Sequence, residues 1–187
     1  MLVRQAMGWL RSALFLSEIM RDAQYWIDRL NLTPHPEGGY FREVYRSAEE
    51  IPATALPVRF GGERAFSTAI YFLLRSGETS AFHRISQDEL WHFYAGCPLI
   101  LHCITPDGEY AAHWLGLDGE AAPLVIIPAG VWFGAVCSEE NSYTLAGCTV
   151  APGFDFRDFE MPVADELLGL FPEHSGIIRR ISRTIRC

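Results

Sequence analysis

Between Phe66 and Val150 the chain is a succession of short aromatic and aliphatic segments, most of them separated by turn signals. That cadence constrains the fold more than any other feature. Phe66–Leu74, Ser80–Ile85, Glu89–Tyr94, Leu99–Thr105, Glu109–Leu115, Leu124–Ile127, Trp132–Ser138 and Tyr143–Val150 each have the length and side-chain enrichment of a strand. Ser76-Gly77, Pro106-Asp107-Gly108, Asp118-Gly119 and Pro128-Ala129-Gly130 punctuate them about every dozen residues, which predicts an all-β antiparallel sandwich or barrel. Tyr40–Arg46 alternates as a further strand after Gly38-Gly39, and Ser47–Gly62 reads as a Pro- and Gly-containing loop. Helices are expected only at the ends. Ile19, Ala23, Tyr25, Trp26, Ile27 and Leu30 recur at roughly helical spacing within Ser17–Leu30, before Asn31, Pro34 and Pro36 end the pattern. Ala164–Leu170 is also helical, and Ile177, Ile178, Ile181 and Ile185 form a stripe opposite Arg179, Arg180, Arg183 and Arg186 on a short closing helix.

With 187 residues the chain has the size of one domain, here residues 20–187, preceded by an extension over residues 1–19. In that extension Arg4 and Arg11 flank an apolar run too short for a signal peptide, and a membrane span needs about 20 apolar residues, so no membrane attachment is expected. Met20 is a plausible alternative start. A net charge of -8 repels phosphate backbones, and no basic groove interleaved with aromatics is visible, which argues against a nucleic-acid partner. The five cysteines show no Cys-x-x-Cys pairing and their odd number leaves one unpaired in any disulfide scheme, as expected of a reducing, cytoplasmic setting.

The residues suited to chemistry concentrate in Gly77–Gly96. His83 and Glu89 are spaced as two inward-pointing groups on neighbouring antiparallel strands. Inside a dry cavity a carboxylate holds an imidazole in one tautomer and favours its cation, which suits proton abstraction and return at a substrate carbon or oxygen. A satisfied buried His–Glu pair in a barrel core is the bland reading of the same two residues. Strand alternation puts Trp91 on the face of Glu89 and His92 on the other. Tyr71, Trp91, Phe93, Trp132 and Phe133 form an aromatic-rich neighbourhood, from which one or two rings, Trp91 first, are expected to meet a ligand while the others pack. On Tyr40–Arg46, Arg42 and Arg46 are expected to share a face opposite Glu43.

Taken together, these segments resemble the cupin superfamily. Gly77, His83, Glu89 and Gly96 fall in register with its first motif, and Pro128 and Gly130 with its second. Ile85 stands where that family has a second histidine, and Phe133 and Cys137 occupy the His and Asn positions of the second motif. Two of the four usual metal ligands are thus absent. A transition-metal site normally needs three or four protein ligands, so no metal and no other cofactor is expected. The segments His35–Ser47 and Asp88–Tyr94 are similar to the fifth numbered cupin subfamily, of unknown function, over about Leu30 to Met161. That resemblance implies a double-stranded β-helix barrel and a homodimer exchanging an edge strand. A weaker likeness to the dTDP-dehydrorhamnose epimerases places Phe41 and Glu43 at positions of their nucleotide-contacting strand, with Gly38 in place of its arginine. The expected function is therefore binding of a sugar or sugar nucleotide with metal-free isomerisation or epimerisation, His83 as base and Glu89 orienting it, and Tyr71, Trp91, Phe41, Glu43, Trp132 and Phe133 around the ligand. A non-enzymatic small-molecule-binding module and a metal-dependent enzyme with an irregular ligand set are the alternatives.

Overall fold

The structure is a computed structural model and describes residues 21–182. The expected extension over residues 1–19, and with it Ile19, Arg183, Ile185 and Arg186, lies outside the described residues. The first described helix, α1 (Ala23–Leu30), is capped by the Asp22 side chain, which accepts from the Tyr25 backbone N–H at 2.8 Å; the Ser17–Met20 part of the expected helix lies outside the described residues. Asn31 ends it in the left-handed conformation.

Twelve strands follow: β1 (Thr33–Pro34), β2 (Tyr40–Arg46), β3 (Glu50–Ile51), β4 (Arg64–Ala65), β5 (Thr68–Arg75), β6 (Ser80–His83), β7 (Glu89–Gly96), β8 (Leu99–Ile104), β9 (Tyr110–Leu115), β10 (Leu124–Ile127), β11 (Trp132–Cys137) and β12 (Tyr143–Val150). The segment expected as plain loop carries β3, which pairs with β4, so the strand expected from Phe66 begins at Thr68 and leaves Phe66 half exposed. Helices α2 (Ala164–Leu170) and α3 (Ser175–Ile181) close the described chain. No helix among the described residues is long and apolar enough to cross a membrane.

The large sheet has the order β1-β2-β5-β12-β7-β10 and the small one β6-β11-β8-β9, all antiparallel. This is a jelly-roll all-β fold. Strand alternation divides its apolar residues into three layers. Phe72 and Leu74 of β5, Trp91 of β7, Leu101 of β8, Phe133 and Ala135 of β11 and Ala146 of β12 meet between the sheets. Leu73 and Leu145 point the other way, under Ile27 of α1. Phe82, Trp132 and Val136 cover the outside of the small sheet beneath Leu167, Ile178 and Ile181 of α2 and α3.

Among the described strands three bulges interrupt the ladders, one of them at Tyr94 of β7, and the other two set where side chains of the site point. In β2, Glu43 and Tyr45 pair with the adjacent residues Ile70 and Ala69, so Val44 is the extra residue. In β6, Ser80 and His83 pair with Ala135 and Phe133, three steps against two. An extra residue reverses alternation beyond it. Glu43 and Arg46 thereby share one face, and Ser80 and His83 another.

Candidate functional site

The site is assembled from the turn preceding β2. His35 accepts from the Gly38 N–H through its carbonyl (3.1 Å) and donates its own N–H to the Gly39 carbonyl (3.0 Å). The Glu37 carbonyl accepts from the Ala81 N–H of β6 at 2.8 Å, which lays the turn against that strand. Glycine is required here: Gly38 has φ +116°, and a Cβ on it would collide with the Thr79 carbonyl oxygen. The turn delivers the Glu37 carboxyl, 6% exposed, between Ser80 and His83. Ser80 Oγ donates to Glu37 Oε1 at 2.9 Å, and His83 Nε2 lies 3.1 Å from Glu37 Oε2.

Proton placement follows from these contacts. His83 Nδ1 sits 2.8 Å from the Ala81 carbonyl oxygen, which can only accept, so Nδ1 carries a hydrogen. Nε2 and the carboxyl group must then share one further proton, since two lone pairs would otherwise face each other. Burial holds Glu37 above the ordinary carboxylate range, against the pull of His35 and the Ser80 hydroxyl. Burial also lowers His83, against Glu89 and the Ala81 carbonyl. Both directions favour the uncharged arrangement, Glu37 as a carboxylic acid donating to neutral His83.

Glu89, at the start of β7, is pushed up to about 7 by burial, which outweighs the opposing pull of His83, the Cys148 thiol and the Trp91 indole. Cys148 itself is driven well up by burial and by Glu89 and Glu37. Trp91 Nε1 is buried and makes no hydrogen bond of acceptable geometry within the protein. These groups border a cavity of about 320 Å³. Phe41, Phe72 and Trp91 supply aromatic wall from the large sheet, while Phe154, Phe156 and Phe159 supply more from the strap that follows β12. The strap is tied down at several points. Asp158 receives Arg64 Nε and Nη2 at 2.7 and 2.6 Å and Gln87 Nε2 at 2.7 Å, all buried; Arg46 Nη1 donates to the Phe154 carbonyl at 3.1 Å.

Of the residues singled out from sequence, His83, Glu89, Trp91, Phe41 and Glu43 line this cavity. Tyr71, Trp132 and Phe133 do not border it. Tyr71 lies on the outer parity of β5, packed edge-on to Tyr94 at 6.0 Å, while its neighbours Ile70 and Phe72 take the inner face. Trp132 points to the outside of the small sheet, under the Arg84 guanidinium at 4.2 Å. Phe133 stands behind His83, ring centroids 4.1 Å apart, and supports it from the core. The direct partner of His83 is Glu37, with Glu89 acting on it through space. The expectation that Arg42 and Arg46 share a face opposite Glu43 fails at the Val44 bulge: Arg46 clamps Glu43 through Nε and Nη2 at 3.0 and 2.6 Å, and Arg42 reaches the Leu30 carbonyl. His35 and Glu37 carried a signal in sequence, a titratable pair beside Gly38-Gly39. Their meeting with β6 did not show locally.

The residues at the usual cupin ligand positions do not fit a metal. Ile85 presents hydrocarbon to the cavity, Phe133 packs on His83, and Cys137 Sγ is turned to the Leu74 carbonyl at 3.2 Å. Both His83 nitrogens are engaged by Ala81 and Glu37. Among the described residues no group of three or more His, Cys, Asp or Glu side chains has a metal-holding arrangement.

Comparison with known proteins agrees with this architecture. An uncharacterised protein of Saccharomyces cerevisiae is 30% identical over 148 residues, 72% of this chain and 72% of its own length. The crystal structure of a Shewanella oneidensis protein is 38% identical with a TM-score of 0.80, covering 88% of this chain and 99% of that one. A hypothetical protein from Leishmania major is 34% identical with a TM-score of 0.79, covering 88% and 100%. The family model described as "Cupin superfamily (DUF985)" matches residues 24–162, and with a histidine, two glutamates and an aromatic cavity on this jelly roll, the chain belongs to that group of the cupin superfamily.

Proposed function

We propose that the cavity binds a small neutral sugar and exchanges protons with it by metal-free acid–base chemistry of the isomerase or epimerase kind. The observation that carries this reading is the contact of His83 Nε2 with Glu37 Oε2, 3.1 Å apart in the wall of an aromatic cavity that also holds Glu89. Removing and returning a proton beside a carbonyl needs one group able to accept and another able to donate, each near its working pH. Glu89, with its carboxyl raised to about 7, is the acceptor; the Glu37–His83 couple holds the further proton, which reaches a ligand only when the ligand displaces that internal hydrogen bond. Aromatic rings stack on the C–H faces of a pyranose, and Phe41, Phe72 and Trp91 supply such rings to the cavity.

The charges favour a neutral ligand over a sugar nucleotide. Arg46 is the cation among the cavity-lining residues, and Glu43 already holds it bidentately, so a diphosphate would meet carboxylates without a free counter-charge. Phe41 and Glu43, the positions shared with the epimerase pattern, both line the cavity, which is consistent with carbohydrate chemistry without the nucleotide arm.

The test is solvent isotope exchange. The protein is incubated with a panel of aldoses and ketoses in deuterium oxide, and deuterium at carbon is read by NMR. Exchange with at least one sugar, lost in His83→Asn and Glu89→Gln, is expected. Saturable sugar binding without exchange would replace the enzyme by a binding module, a reading that the fully hydrogen-bonded Glu37 also accommodates. Neither binding nor exchange would refute the proposal.

A further inference from the structure

The opposite end of the barrel holds a pair of thiols that the cavity does not use. Cys97 sits in the turn between β7 and β8, and Cys137 ends β11. The two are brought together by strand pairing: the Cys97 N–H donates to the Tyr143 carbonyl at 2.8 Å, and the Ser138 N–H donates to the Pro98 carbonyl at 3.0 Å. Their sulfurs converge on one hydroxyl, with Thr144 Oγ1 3.8 Å from Cys97 Sγ and 3.6 Å from Cys137 Sγ. Thr144 Oγ1 in turn donates to the Cys97 carbonyl at 2.8 Å, which holds the turn in place. Thr144 and the cavity-lining Cys148 are four residues apart on β12, about 14 Å along an extended strand, so this pair is separate from the cavity.

We propose that Cys97 and Cys137 are a redox-active dithiol that closes to a disulfide when the protein meets a hydroperoxide. The Cys97 thiol is drawn below its ordinary range, chiefly by its coupling to Cys137, with the Ser142 and Glu139 groups adding to it, and it is the sulfur that peroxide oxidises first. Cys137 is raised by the same interaction and by burial and stays a thiol. The other two described cysteines lack this arrangement: Cys103 is pushed up to about 12 by burial, and Cys148 is likewise held as a thiol. Cys137 remains partly exposed, which gives a water-sized oxidant such as hydrogen peroxide a way in.

The steps balance. The Cys97 thiolate attacks one peroxide oxygen, the O–O bond breaks, and the sulfur becomes a sulfenic acid while hydroxide leaves and takes up the proton that Cys97 lost. The Cys137 thiol then attacks that sulfur, forming the S–S bond and expelling the second oxygen as water with the Cys137 proton. Two thiols and one peroxide give one disulfide and two waters, sulfur losing the two electrons that peroxide gains.

The experiment uses the full chain, reduced, desalted, treated with stoichiometric hydrogen peroxide and quenched with N-ethylmaleimide before digestion and mass spectrometry. A peptide pair joined through Cys97 and Cys137, absent before peroxide and reversed by dithiothreitol, is the expected result. Cys97→Ser and Cys137→Ser should each lose that species completely, and Cys103→Ser should retain it. Cys137→Ser, at the partly exposed position, serves if Cys97→Ser does not fold. Full alkylation of both cysteines after peroxide, separate sulfinic acids, or a cross-link to a different cysteine would overturn the proposal.

Discussion

Replacing Glu37 by glutamine separates the two ways in which the buried pair could hold its proton. If Glu37 is a carboxylic acid donating to His83 Nε2 at 3.1 Å and accepting from Ser80 Oγ at 2.9 Å, an amide reproduces both bonds, with –NH₂ toward His83 and C=O toward Ser80. The net worth of a neutral hydrogen bond is about 1 kcal/mol, and here it is exchanged for another of the same kind, so the loss should stay below about 1 kcal/mol. If the pair were instead carboxylate and imidazolium, the same substitution would leave a buried cation without its partner, and breaking such a pair costs about 3–5 kcal/mol. Urea unfolding at pH 7 distinguishes the two: with an m-value of about 2 kcal/mol/M, the midpoint moves by less than about 0.5 M in the first case and by about 2 M in the second. A large loss in Glu37→Gln would refute the neutral-pair argument. Glu37→Ala is the control for the site itself, since it strands the Ser80 hydroxyl and the His83 nitrogen and should cost about 1–3 kcal/mol for each.

Glu89→Gln tests the raised carboxyl. A folded pKa above the unfolded value of 4.5 means that the folded protein keeps a proton the unfolded chain has released, so stability falls as pH rises from 4.5 to about 7. The shift is worth on the order of 3 kcal/mol, and the wild-type minus Glu89→Gln difference in unfolding free energy should show that loss across the window; a difference flat with pH would remove the shift. Asp158→Ala leaves Arg64 buried and unpaired, so it should cost about 3–5 kcal/mol, whereas Arg64→Met with Asp158→Leu should recover most of that in the same unfolding assay; equal losses in both variants would show that the strap depends on something other than this ion pair. Untagged protein purified without chelator should carry far less than one equivalent of iron, nickel, manganese or zinc by plasma mass spectrometry, and near-stoichiometric metal would overturn the donor-set argument. Among the described residues the outer side of β2 pairs with only Thr33 and Pro34 of β1, while Val44 and Tyr45 stay exposed, so sedimentation equilibrium should report a homodimer that Tyr45→Lys weakens; a monomer throughout would refute that expectation.

The sequence by itself determined what depends on local pattern. Turn residues about every dozen positions and aromatic-rich segments between them were enough for an antiparallel sandwich or barrel, the cupin likeness narrowed it to the jelly roll, and simple alternation from Glu89 put Trp91 on its face, beside it in the cavity. The start of α1 was also written locally, in the Asp22 cap. What only the tertiary structure decided was parity beyond a bulge and the company each side chain keeps. One extra residue at Val44 turned Arg46 onto the face of Glu43, and one in β6 put Ser80 and His83 on the same side. Tyr71 and Phe72 are equally aromatic, and only the sheet that β5 joins selects which ring faces inward. The partner of His83 lies 46 positions away in sequence, in a turn docked on β6 through a backbone hydrogen bond, so no window of local sequence contains both ends of that contact. A strand's pattern is a property of its own residues, whereas the Glu37–His83 contact is a property of a turn and a strand and of the docking that brings them together.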